Sequence, residues 1–185
     1  DFHYFLGHLG DAVGTDLYPR VQGHEFAGVI EAVGSGCPPG LRLGERVAVW
    51  PVTACGHCYP CRIGRRNVCA NISLVGIHRD GALQERVRVP ADQVFAVGDL
   101  DSAASALIEP VSIAIRAIVR SRIEEGEKAV VLGAGPIGQA LSAAALDRGA
   151  SVLLVDRVAS RVERGSAVGA DLLALEADDD LVAAG

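Results

Sequence analysis

Apolar residues between Val21 and about Val97 fall in short β-type runs broken by glycine: "FAGVIEAVG", "GERVAVW", "ERVRVPA" and "QVFAVG". Runs of this length bounded by turn residues predict strands, and the region reads as an all-β or β-rich barrel. Residues 55 to 69, "CGHCYPCRIGRRNVC", interrupt it with almost no hydrophobic pattern, so something other than an apolar core must hold that excursion. From Ser102 the character changes. Apolar residues of "SAASALIEPVSIAIRAIVRSR" recur at helical spacing, and Pro110 inside the run predicts two helices rather than one. "EKAVVLGAGPIGQALSAAALDRGASVLLVD" then reads as a strand, a glycine turn, a helix and a second strand, and "EADDDLVAAG" as the acidic start of a further helix.

Composition sharpens this outline. Half of the 185 residues are hydrophobic and only 4% are aromatic, so the core must be built from Ala, Val, Leu and Ile. A formal charge of −6 and the lack of any long basic run argue against nucleic acid or an anionic membrane as partner. No apolar stretch approaches the roughly eighteen residues of a spanning helix, which makes the cytoplasm the expected compartment. The chain has no methionine and opens at Asp1 on what reads as the middle of a polar motif, so it is expected to be part of a longer protein.

The excursion carries four of the five cysteines, spaced Cys55-x2-Cys58-x2-Cys61-x7-Cys69, with Gly56, Pro60 and Gly64 supplying turns that fold the loop back on itself. Four sulfurs can then surround one point. Disulfides are an alternative, but nothing at the N-terminus reads as a secretory signal. An iron–sulfur cluster is another, although ferredoxin-type spacing places the fourth cysteine after three residues and before proline. A closed tetrahedral zinc site with four cysteine ligands is the favoured reading.

Gly133-x-Gly135-x-x-Gly138 follows the strand "AVVL" and opens the helix that starts at Pro136 and Ile137. In that context the glycines allow a tight turn, the approach of a pyrophosphate and close helix–strand packing. The free amides of the helix start can hold phosphates. Asp156 closes the second strand 18 residues after Gly138, where a carboxylate takes both ribose hydroxyls and repels a 2′-phosphate, so NAD is favoured over NADP. Arg157 and Arg161 beyond it are candidate cofactor contacts, and Arg157 reads equally as a solvated loop residue.

Gly23-His24-Glu25-x-x-Gly28, with Gly34 and Gly36 beyond, sets an imidazole beside a carboxylate at the start of a glycine-punctuated strand. Alone this is weak. Together, "GHEFAGVIEAVGSG", "CGHCYPCRIGRRNVC" and "VLGAGPIG", in that order, resemble the zinc-dependent medium-chain alcohol and polyol dehydrogenases, in particular their sorbitol, threonine and sugar-acid branch.

The resemblance implies an α/β protein: a GroES-like β-rich catalytic domain over residues 1–108, then an incomplete Rossmann NAD(P)-binding domain over 109–185. It also implies two zinc ions, one structural at the four cysteines and one catalytic at His24, Glu25 and Glu109. Glu109, in "IEP", matches the carboxylate position of the sorbitol and threonine branch; without the family it reads as a helix-terminal acid before proline. "DFHYFLG" resembles the tail of a Cys-x-[Ser/Thr]-Asp-x-His motif, in which Asp1 would orient a zinc-bound imidazole and His3 would join the proton relay; the cysteine and the Ser/Thr of that motif would precede Asp1. His78 matches a position near the substrate cleft or is a surface loop residue. The implied activity is oxidation of a secondary hydroxyl of a polyol or sugar acid by hydride transfer to NAD. The implied full-length state is a homo-oligomer. The rival expectation is an inactive piece holding only the structural zinc and a partial nucleotide fold.

Overall fold

The computed structural model describes residues 5–6 and 19–175. Asp1, His3 and the acidic segment 176–185, for which the sequence predicts a helix start, lie outside the described residues. The chain divides into two compact units between Glu109 and Pro110.

In the first unit, β1 (Ala27–Val29), β2 (Arg46–Val49) and β5 (Val94–Ala96) form an antiparallel sheet in the order β1-β2-β5, with Ala27 opposite Ala48 and Val47 opposite Ala96. The central strand β2 is paired on both edges, and its Val47, Ala48 and Val49 are all buried. β3 (Val52–Thr53) and β4 (Ser73–Leu74) pair antiparallel, Thr53 opposite Ser73, and pinch the base of the cysteine excursion. Within the excursion lie α1 (Tyr59–Arg62) and a 3-10 turn at Arg66–Val68, and neither buries a residue.

The stretch "ERVRVPA" is not a strand: residues 85–90 have no ladder partner among the described residues. Pro90 brings no amide to a ladder, and Arg86 forms a forked ion pair with Glu31 at 2.6 and 3.0 Å. Two helices do follow. α2 (Ser102–Ala106) is capped by Asp101, whose carboxylate accepts from the Ala104 amide at 2.7 Å. α3 runs Ile108–Ser121. The break falls at Leu107, before Pro110, because proline is tolerated in a first turn, where its missing amide has no acceptor within the helix.

The second unit is β6 (Lys128–Leu132), α4 (Pro136–Asp147), β7 (Ser151–Asp156), α5 (Ala159–Gly165) and β8 (Asp171–Ala174), with a parallel sheet in the order β6-β7-β8. A parallel strand flanked on both edges is apolar on both faces, and Val152, Leu154 and Val155 of β7 are all buried. Small residues let the helices sit close: Ala145 is fully buried, and Gly165 packs against Leu154. The architecture is α/β, a β-rich unit followed by three parallel strands with crossover helices. Among the described residues no helix is long and apolar enough to cross a membrane.

Candidate metal and dinucleotide sites

The four cysteines reach one another through the local turns around them. Gly56 and Gly64 adopt positive φ of 79° and 77°, which reverses the chain on either side of α1. Cys58 caps α1, its carbonyl accepting from the Arg62 amide, and Cys61 lies one turn on. Cys69 follows the 3-10 turn and is buried. The four Sγ atoms lie within 4.8 Å of one another, and Cys58 Sγ stands 3.8 Å from Cys69 Sγ. Zinc–sulfur bonds of about 2.3 Å at tetrahedral angles give sulfur separations of about 3.8 Å, so the cluster has the dimensions of a four-thiolate zinc site.

Its electrostatics agree. The His57 and Cys58 amides draw the Cys55 thiol down to about 5, and the Cys61 and Ala70 amides lower Cys58. Burial, then the neighbouring sulfurs of Cys58, Cys69 and Cys55, pushes Cys61 up to about 12. Four thiols this close cannot all ionise without a cation among them, and the surrounding amides already favour the charged form. Cys69 Sγ accepts from the amides of Cys55 at 3.2 Å and Asn71 at 3.3 Å, while the Asn71 side chain reaches Cys55 Sγ at 3.7 Å. Asn71 was not singled out by sequence; its place two residues after the last cysteine is the signal. Exposed His57 holds the Cys55 carbonyl through Nδ1 at 2.9 Å and is not among the clustered groups. Cys37 stands apart as well.

His24 and Glu25 begin the run into β1, and Glu109 sits in the first turn of α3. Burial raises the Glu109 carboxyl above the usual carboxylate range; His24 opposes that shift and Glu25 adds to it. The three groups therefore share one electrostatic neighbourhood. They do not gather ligand atoms as the cysteines do: among the described residues, only the cysteine cluster brings three or more such atoms within 4.8 Å.

The glycine turn joins β6 to α4. Gly133 has φ of 103° and donates to the Val155 carbonyl at 2.7 Å. Gly135 caps α4 with open space where a side chain would stand, whereas a Cβ on Gly138 would collide with the Gly133 carbonyl. Pro136 and Ile137 open the helix between them. Asp156, at the end of β7, accepts from the Ala134 amide through Oδ2 and from the Val158 amide through Oδ1, both at 2.8 Å. Those two amides, Val158 first, hold its carboxyl below the usual range, with Arg161 at 3.9 Å assisting. Arg157 is exposed beside it. Each Asp156 oxygen keeps a lone pair for a further donor.

Sequence reading passed over one buried network. Gln93, 2% exposed, donates to the Val52 carbonyl at 2.6 Å and to Thr53 Oγ1 at 2.8 Å, and Arg79 donates to Thr53 Oγ1 at 2.9 Å and to Gln93 Oε1 at 3.3 Å. His78 is exposed and accepts from the Leu74 amide through Nδ1 at 3.0 Å.

Known proteins resemble this chain along most of its length. The starvation-sensing protein RspB of Escherichia coli is 41% identical over 92% of the chain and 50% of its own length. The L-galactonate-5-dehydrogenase of the same organism is 42% identical over 79% of the chain and 43% of its own length. A crystal structure of the short chain alcohol dehydrogenase rspB from E. coli, complexed with the cofactor NADH, superposes with a TM-score of 0.85 at 37% identity, covering 99% of this chain and 52% of that one. The chain thus spans about half the length of the curated relatives it matches. The alcohol dehydrogenase GroES-like domain family matches residues 1–99, and with relatives named as zinc-type alcohol, sorbitol and threonine dehydrogenases the chain belongs to the zinc-type alcohol and polyol dehydrogenase family.

Proposed function

We propose that the protein is a zinc-dependent alcohol dehydrogenase that oxidises a secondary hydroxyl of a polyol, sugar acid or similar small molecule by transferring hydride to NAD. The observation that carries this reading is the pairing, in one chain of this family, of a four-thiol cluster of zinc dimensions with a glycine turn closed by Asp156. Relatives named for L-galactonate and sorbitol support the substrate class, and the NADH-bound relative supports the cofactor.

When bound, zinc supplies Lewis-acid activation of a hydroxyl and the nicotinamide supplies a hydride acceptor. The chain's own residues do the rest. Cys55, Cys58, Cys61 and Cys69 hold the structural ion. His24 and the half-buried Glu109, with Glu25 as ligand or near-ligand, would hold the catalytic one. By the family resemblance, Asp1 would orient a zinc-bound imidazole and His3 would belong to the proton relay. The amides at the start of α4 would hold the pyrophosphate. Asp156 takes the ribose hydroxyls and disfavours a 2′-phosphate, with Arg157 and Arg161 flanking the adenosine half. Residues 1–108 are then the catalytic domain and 109–185 part of the nucleotide domain of a cytoplasmic enzyme, homo-oligomeric at full length.

The cysteine cluster being the sole gathered ligand set among the described residues favours a second reading, a chain that holds structural zinc but does not turn over. Zinc per chain, together with NADH and NADPH titrations, separates the two. Two zinc ions, one lost in Cys58→Ser and the other in His24→Gln, with tighter NADH binding and oxidation of an aldonate or hexitol, is the expected result. One zinc, lost only in Cys58→Ser, without turnover, establishes the second reading. Zinc-free folded protein, or protein that binds neither dinucleotide, overturns the proposal.

A further inference from the structure

The segment carrying His24 is clasped from one side by residues 76–83. The Gly81, Ala82 and Leu83 amides donate to the carbonyls of Val21, Gly23 and Gln22 at 2.7, 3.0 and 3.0 Å, and the Asp80 carboxylate accepts from the Val21 amide at 3.1 Å. The two backbones lie so close that a Cβ on Gly76 would come within 2.6 Å of the Gly23 carbonyl oxygen, and one on Gly81 would strike Gln22. The same loop is tied at its other end to the base of the cysteine excursion. Arg79 bridges Thr53 and Gln93, and Thr53 is two residues before Cys55, on the strand whose pairing closes the excursion. Val75 adds a hydrogen bond to Pro51 at 3.0 Å, and the Arg79 carbonyl accepts from Gly76 at 2.8 Å, so the loop is braced within itself.

We propose that Arg79 and Asp80 are positioning residues for His24: they form a hydrogen-bonded bridge through which order in the four-cysteine loop fixes the segment that carries the imidazole. The inference rests on the reading of the cysteine cluster as a zinc site. Emptying that site loosens Thr53, Arg79 loses a fixed acceptor, and the clasp on residues 21–23 relaxes. Both bonds leave a single terminal nitrogen, Nη2 of Arg79, so one donor group at the end of a long side chain spans the two acceptors.

The test is NMR of the whole chain with 13C-labelled histidine, the His24 ring signal being identified by its loss in His24→Gln, and with zinc content measured on every sample. Cys58→Ser and Arg79→Gln are expected to move the His24 signal in the same direction, the double variant no further than Cys58→Ser alone. Arg79→Gln should keep the cysteine-bound zinc. Asp80→Ala should move the signal too, while Arg79→Lys and Asp80→Asn, which keep a donor and an acceptor in place, should restore it. That rescue separates positioning from general loosening. A His24 signal indifferent to Cys58→Ser in protein that otherwise carries cysteine-bound zinc, or additive shifts in the double variant, overturns the bridge alone. Absence of zinc from the wild-type cysteines overturns the bridge together with the functional reading beneath it.

Discussion

Gly135 and Gly138 sit three residues apart in one turn, yet only Gly138 is closely packed, while Gly135 faces open space. A methyl on Gly138 would meet the Gly133 carbonyl oxygen closer than 3.0 Å, and that atom belongs to backbone pinned by its own hydrogen bond to Val155. The start of α4 must therefore move off β6. Overpacking of this kind costs up to about 3 kcal/mol, and the better helix propensity of alanine returns about 1 kcal/mol. The net loss of about 2 kcal/mol lowers the melting temperature of a unit this size by roughly 8–16 °C. A methyl on Gly135 meets nothing within 4 Å, and its φ of −71° suits any residue. There the weaker cap costs roughly 0.5 kcal/mol, and the stiffer unfolded chain returns a similar amount, so Gly135→Ala should leave stability within about 0.5 kcal/mol. The same methyl stands where a pyrophosphate would approach and should weaken NADH binding by at least about tenfold, or 1.4 kcal/mol. Thermal melts followed by circular dichroism and NADH fluorescence titrations read both quantities. Gly138→Ala melting with the wild type, or Gly135→Ala losing as much stability as Gly138→Ala, would refute the close-packing argument.

Other expectations follow from the charged and sulfur groups. The depressed Asp156 carboxyl contributes stability that is present above the unfolded-state value near 3.9 and is lost as pH falls through the lower folded value. Urea midpoints measured at pH 7 and pH 3 should thus differ less in Asp156→Asn than in the wild type, and an equal difference would show that the carboxylate does not act this way. Asp156→Ser should also narrow the preference for NADH over NADPH, read as the ratio of the two dissociation constants. Cys69→Ser should release the structural zinc and speed proteolysis inside residues 54–71, seen by mass spectrometry of the fragments; unchanged zinc content would remove Cys69 from the ligand set. The Glu31–Arg86 pair is exposed, so Glu31→Gln should change stability little, and less still in high salt.

What could be read from sequence was whatever depends on spacing along the chain. The cysteine intervals, the strand–turn–helix around Gly133 and the acid at the end of β7 are local patterns, and each appears in the structure where the pattern put it. Pro110 announced two helices but misplaced the break, because a proline's effect depends on whether it falls in a first turn or an interior one. "ERVRVPA" has the apolar content of a strand without a partner, and pairing is a tertiary fact that no single run contains. The Arg79, Gln93 and Thr53 network joins residues up to 40 apart, and the clasp of Asp80 on Val21 spans 59. Neither leaves a periodic trace. The nearness of Glu109 to His24 and Glu25 is likewise non-local, and only the family resemblance drew Glu109 into the candidate site.

The cysteine excursion, whose helix and turn bury nothing, has one more consequence. Most of a protein's resistance to opening is written into its own contacts. Here, on the zinc reading, a stretch of surface draws its resistance from the surrounding medium, because a ligand that binds only the closed form stabilises it by an amount logarithmic in its free concentration. Each tenfold change in free zinc above the dissociation constant would shift the closing free energy of this lobe by about 1.4 kcal/mol. The rest of the β-rich unit would respond only as far as β3 and β4 transmit the change. The lifetime of the lobe against proteases and oxidants would then be set by metal supply as much as by sequence.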